Sequence, residues 1–297
     1  MRSSWAVVAT LVLLACAPPP APPQPAAAPK TSAVQEPAVQ PQPASQASAP
    51  EAAPGAPKLS SSALGQAVMS FHLDPQPGRV PAILDALDRE VAGMDDSTIQ
   101  ARGAPLMGWL YGVFLQFPDD VPAWTAPERS HWMNLLVALA LMLSGDEDEA
   151  LDYARRSGID ETQLRALWKQ TDTIFSTTAR SPFAADALWG AAFATGDRAY
   201  VGHIVDALND PALAPYADTL VTVAQGGKVS LPPGISQANA LAFATAGSVI
   251  WSLVSNASRM PFVHAELEAT ARAKGLTPSG RRLIEATLQA ADARIAR

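Results

Sequence analysis

The stretch from Ala17 to Lys58 carries 13 of the chain's 27 prolines, and nearly everything between them is Ala, Gln or Ser. Val34 and Val39 are its only aliphatic side chains larger than alanine. A segment of this kind cannot bury enough apolar surface to offset the entropy of ordering it. It is expected to stay disordered, biased toward extended polyproline II, with a reach of at most roughly 130 Å. PxxP spacings also occur in ligands of aromatic grooves, but a spacer is the expectation. Any hydrophobic core is thereby confined to residues 59–297, enough chain for one sizeable domain.

Within those residues the apolar pattern is helical. Val80, Ile83, Leu84, Leu87 and Val91 recur at the spacing of one helix face, and Ile284, Leu288, Ala291 and Ile295 repeat it near the C-terminus. Helix starts are frequent. Asp146-x-x-Glu149 and Asp160-x-x-Gln163 fit capping boxes. Ser181-Pro182, Asp210-Pro211 and Thr277-Pro278 each set a capping side chain before a proline at the first helical position. Gly226–Gly234 reads as a loop, and period-two alternation with β-branched residues is missing. The expected fold is all-α: antiparallel helical hairpins stacked as a short solenoid or irregular bundle, behind a disordered Pro/Ala-rich tether. Trp132–Leu143 is too short to span a bilayer and should be the most buried helix.

A faint repeat runs through the helices. Ser144-Gly145-Asp146 and Thr195-Gly196-Asp197 each follow an Ala-rich apolar helix and open the next one, and the tetrad Ala192–Thr195 recurs as Ala242–Thr245. Glycine ends one helix and aspartate caps its successor, as in an αα-hairpin. Gly145–Arg156 resembles the second helix of tetratricopeptide-type repeats in architecture, without that family's tryptophan, glycine and proline spacing. Asp186–Leu208 and Trp251–Val263 resemble uncharacterised bacterial helical proteins, a resemblance that implies no activity.

The N-terminus carries an address. Residues 1–15 place one positive charge at Arg2 before an apolar run from Trp5 to Ala15, the pattern of a signal peptide. Leu13, Leu14, Ala15 and Cys16 follow, and Cys16 is the only cysteine in the chain. This resembles the lipobox of bacterial lipoproteins, with Leu14 replacing the usual small residue. The resemblance implies cleavage after Ala15 and lipidation of Cys16. Ala17 in place of aspartate implies outer-membrane sorting, with the domain facing the periplasm. The expected organisation is a signal peptide over 1–15, a lipidated cysteine and linker over 16–58, and a helical domain over 59–297.

The net charge is −7 and becomes one unit more negative once Arg2 is removed. That balance disfavours nucleic acid and a polybasic membrane surface. A chain whose only thiol is lipidated has neither a disulfide nor a cysteine nucleophile. GxSxG, SxxK, HExxH, CxxC, P-loop and GxGxxG patterns are all absent, so no cofactor and no metal are expected.

Isolated candidates remain. Glu128-x-x-His131 is half of a di-iron unit but lacks its second copy. His264-Ala-Glu266 places its side chains two apart, where helix positions diverge. His203 lies in an apolar run, and Asp146–Glu149 reads as a solvated helix start. The aromatics say more. Trp109, Tyr111, Phe114 and Phe117 crowd one helix, with Trp124 and Trp132 close behind, and Gly108 and Gly112 four apart indicate close helix packing. Core is the first expectation for these rings. The alternative is a groove formed by Trp109, Tyr111, Trp124 and Trp132 that receives an apolar peptide. The functional expectation is a lipid-anchored envelope protein whose helical domain binds a protein or peptide. The alternative is an envelope enzyme assembled from Glu128, His131, Asp197 and His203.

Overall fold

The structure, a computed structural model, describes residues 59–125 and 129–297. The signal peptide, Cys16, the linker and Glu128 lie outside these residues. Among the described residues there is no strand, and thirteen α-helices joined by short loops and 3-10 turns make up the domain. They are α1 (Ser61–Met69), α2 (Val80–Ala92), α3 (Asp96–Gln116), α4 (Val121–Trp124), α5 (His131–Leu143), α6 (Glu147–Arg156), α7 (Glu161–Thr171), α8 (Pro182–Thr195), α9 (Arg198–Val205), α10 (Ala217–Ala224), α11 (Gln237–Ala257), α12 (Pro261–Ala271) and α13 (Pro278–Ile295).

Local chemistry sets most of the boundaries. Asp146, Asp160, Ser181 and Thr277 cap their helices, accepting from the backbone N–H of Glu149, Gln163, Ala184 and Gly280. The box at Asp146 is only half closed, because the Glu149 carboxylate pairs with Arg156 at 2.9 Å and Asp146 N–H donates to the Leu141 carbonyl. Asp210 caps a 3-10 turn, Pro211–Tyr216, rather than an α-helix; Pro215 lies in its last turn. Gly145 and Gly196 take positive φ of 95° and 69° just before the capping aspartates, the hairpin chemistry read from the sequence.

The core stripe of α2 is as expected, with Val80, Ile83, Leu84, Leu87 and Val91 all buried. α5 is buried without interruption from Met133 to Met142. On α13 the stripe needs correction: Gly280, Leu283, Ile284, Thr287 and Ala291 face inward, while Ile295 is 57% exposed. The helix outruns the bundle by its last turn, so Ile295 has nothing to pack on. The tetrad repeat fails structurally. Ala192–Thr195 ends α8 whereas Ala242–Thr245 lies in the first half of α11, and the two share only a threonine hydroxyl donating four residues back.

The centre of the bundle is α3 against α8, two helices far apart in sequence. Gly108 lies on Ala187, Gly112 on Ala191 and Ala194, and Gln116 donates to the Ala194 carbonyl at 2.9 Å, so the contact advances in the same direction along both. A Cβ at Gly190 would sit 2.0 Å from the Pro105 carbonyl oxygen. Glycines from both helices thus bring backbone to backbone. On one side α5 packs on α3 and forms a hairpin with α6; on the other α8 meets α9 and α11, with α10, α12 and α13 closing around α11. Two polar clasps hold the periphery. Ser130 N–H and Oγ both donate to Asp88, at 2.9 and 2.6 Å, and Thr277 N–H and Oγ1 both donate to Asn209.

α11 is long and apolar enough to cross a membrane, with mean hydropathy 1.4 over its most apolar window. Its inner side is packed among α8, α10, α12 and α13.

Candidate interaction surface

The aromatic residues divide into two sets. Trp109 and Trp124 are buried, at 0% and 4% exposure, Trp109 edge-on to Phe71 and Trp124 against Phe114 and Phe117. The four-ring groove of Trp109, Tyr111, Trp124 and Trp132 is therefore not formed. Two of its members are core, because their positions on α3 and α4 point inward and a tryptophan is the largest filler available. Trp132 is half-buried beside the exposed His131.

Tyr111 behaves differently. Its ring stacks on Phe175 with centroids 3.9 Å apart and planes 10° apart, and Tyr200 stands edge-on to both. Phe175 is buried while the two tyrosines are half-buried. Burial first, then the neighbouring Tyr111 hydroxyl and the Asp197 carboxylate, push the Tyr200 phenol well above the ordinary tyrosine range. Leu115, one turn beyond Tyr111 on the same face of α3, is 44% exposed. The result is a surface of two half-buried tyrosine rings backed by Phe175 and one uncovered leucine, with two hydroxyls and the Asp197 cap as its polar edge. Phe175 and Tyr200 come from the 3-10 turn Ile174–Ser176 and from α9. Nothing in their local sequence marks them as partners of Tyr111.

The remaining candidates do not converge. The helix that carries His131 begins at that residue, capped by Ser130; Glu128 lies outside the described residues. Asp197 spends its carboxylate on the Ala199 N–H at 2.9 Å. His203 is half-buried on α9, and its backbone carbonyl accepts from Ala179 N–H. No bond or ion pair joins any two of His131, Asp197 and His203 among the described residues. No group of three or more potential metal-ligating side chains occurs there either.

Other titratable groups do meet. His264 Nε2 lies 2.7 Å from Asp292 on α13 and its Nδ1 3.7 Å from Glu268, while Glu266 turns away to Arg198 at 2.9 Å. The i,i+2 divergence expected of His264 and Glu266 is what the helix produces. The network pins α12 to α13 at the surface. Asp186 on α8 is largely buried, and burial pushes its carboxyl up to about 6. Two hollows are open to solvent. One, of about 520 Å³, lies between α1 and the start of α2 with Leu59, Phe71 and Ile83 in its wall; the other, of about 430 Å³, lies between α10 and α13 beneath Arg294. None of the sequence-derived candidates lines either.

No family model matches this chain, and neither a curated protein nor a solved structure matches it.

Proposed function

We propose that the chain is a lipid-anchored cell-envelope protein whose helical domain is a non-enzymatic module that captures a protein or peptide. The observation that supports this reading is the half-buried pair Tyr111 and Tyr200 set on the buried Phe175 ring, with Leu115 open beside it. Tyrosines locked by ring packing hold a rigid apolar face at low entropic cost, and their hydroxyls orient an incoming backbone, which is why such rings are enriched at binding surfaces. The acidic cap at Asp197 and the negative net charge favour a partner with a neutral or basic segment.

The address rests on Leu13–Cys16 and the spacer on the Pro/Ala composition of 16–58. Several acyl chains on Cys16 would hold the molecule at the membrane, each buried CH₂ contributing about 0.8 kcal/mol, while the spacer gives the domain lateral and vertical reach. Outer-membrane anchoring with the domain in the periplasm is the corresponding localisation.

Two measurements test the reading separately. Metabolic labelling with a palmitate analogue should mark the wild-type chain and not Cys16→Ser; an unlabelled, uncleaved protein in the cytosol refutes the address. Photo-cross-linking from a benzoylphenylalanine at position 115 should give one discrete adduct in intact cells, lost when Tyr111→Ala is added. A probe at position 231, on the exposed loop before α11, should give none. Equal adducts from both positions would remove the aromatic surface from the argument.

A further inference from the structure

Among the described residues, the outward face of α11 is only partly covered. Leu241 and Trp251 are 41% and 50% exposed, and between them lie Ala244, Gly247 and Ser248. A Cβ built on Gly247 would meet open space. Positions 241, 244, 248, 251 and 255 alternate steps of three and four, the seam spacing of a helix that packs on another helix. No charged residue occurs from Gln237 to Ala257. An exposed leucine and an exposed tryptophan, joined by partly buried small residues, form an uncharged strip along the helix.

We propose that this strip is a self-association surface, where two copies of the chain pair their α11 helices antiparallel about a two-fold axis. Three features of the strip select a second copy. First, it is self-complementary. With the axis level with Ala246, Trp251 of one copy meets Leu241 of the other and Ala244 meets Ser248, large side chains at both ends and small ones at the centre. That profile lets the helix axes approach to about 8 Å. Second, a two-fold contact places any charge near the axis against its own copy, a repulsion that a helix without charges avoids. Third, a helix that lies on lipid flanks its apolar face with basic residues. The nearest here are Lys228 and Arg259, both beyond the ends of the helix. The proposal is independent of what the Tyr111 surface binds.

The test uses the full chain with Cys16→Ser as common background, so that no native thiol remains. Equilibrium sedimentation should show a reversible monomer–dimer system. Trp251→Asp and Leu241→Asp should each raise the dissociation constant about tenfold or more. Both should leave the circular dichroism unchanged, and should match the parent's melting curve at concentrations where the parent too is monomeric, since neither side chain belongs to the core. Gly247→Cys, one residue from the axis and open to solvent, should form a disulfide-linked dimer under mild oxidation, and this readout stands even if an aspartate variant fails to fold. A chain that stays monomeric at the highest concentration reached, or a dimer indifferent to both aspartates, overturns the proposal. So does binding of the monomer to anionic vesicles with a blue shift in Trp251 emission, which would assign the strip to lipid.

Discussion

Gly108 of α3 lies so close to Ala187 of α8 that a Cβ at position 108 would stand 1.8 Å from the Ala187 carbonyl oxygen. No rotamer relieves such a clash, since it involves backbone on both sides. Gly108→Ala should destabilise the domain by about 3 kcal/mol or more, or prevent folding, because the two central helices must separate along their whole contact. Gly247→Ala, where the added methyl meets open space, should instead stabilise by about 0.5–1 kcal/mol through helix propensity. Urea denaturation of the two variants checks both signs at once.

Asp186 contributes a pH dependence of unusual direction for a carboxylate. Burial raises its folded-state value to about 6 from the ordinary carboxyl value of 3.8. The folded protein therefore holds a proton that the unfolded chain has released, and stability falls as pH rises between these two values. Asp186→Asn should be more stable than the parent at pH 8 by an amount on the order of 2 kcal/mol. The advantage should shrink to nearly nothing at pH 4. Chemical denaturation at the two pH values measures the difference, and an advantage that grows toward acid would contradict the burial argument.

Tyr153 of α6 donates to the Asn134 side-chain oxygen of α5 at 2.7 Å within the core, and Asn134 in turn donates to the Arg129 carbonyl. Tyr153→Phe keeps the ring and removes the donor. The expected cost is about 1–3 kcal/mol, read as a lower denaturation midpoint with an unchanged slope, since the fold and its buried surface stay the same.

Thr277 does two things at once: its Oγ1 accepts from Gly280 N–H at the start of α13 and donates to Asn209 in the loop before α10. Thr277→Ala should cost about 1–2 kcal/mol, and Thr277→Ser should recover most of it. Hydrogen exchange should localise the loss to the first turn of α13. By contrast the exposed pair Arg155–Asp152, 3.0 Å apart on α6, should contribute less than about 0.5 kcal/mol and weaken further in salt.

Much of the fold was legible in the residues themselves. The stripe Val80–Val91, the glycine–aspartate junctions at 145–146 and 196–197, and the caps at Asp160, Ser181 and Thr277 depend on neighbours within a few positions, so local chemistry decides them. The same locality explains the errors. Periodicity continued the α13 stripe to Ile295 because the sequence does not say where the bundle stops. It also could not separate Trp109 and Trp124 from Tyr111, since a ring on an apolar helix is core or surface according to what is placed opposite it. The tetrad at 192 and 242 matched in letters but ends one helix and lies inside the first half of the other.

By itself the sequence determined that 59–297 folds as helices, where most of them start, and that Gly108 and Gly112 mark a close approach. Only the tertiary structure decided that the helix approached is α8, arriving from far along the chain, and that Phe175 and Tyr200 complete the surface begun by Tyr111. The physical reason is range: propensity, capping and hydrophobic period act over a helical turn or two. The pairing of distant helices is chosen by the summed fit of glycine notches, aromatic volumes and buried polar partners, which exist only once the whole bundle is assembled.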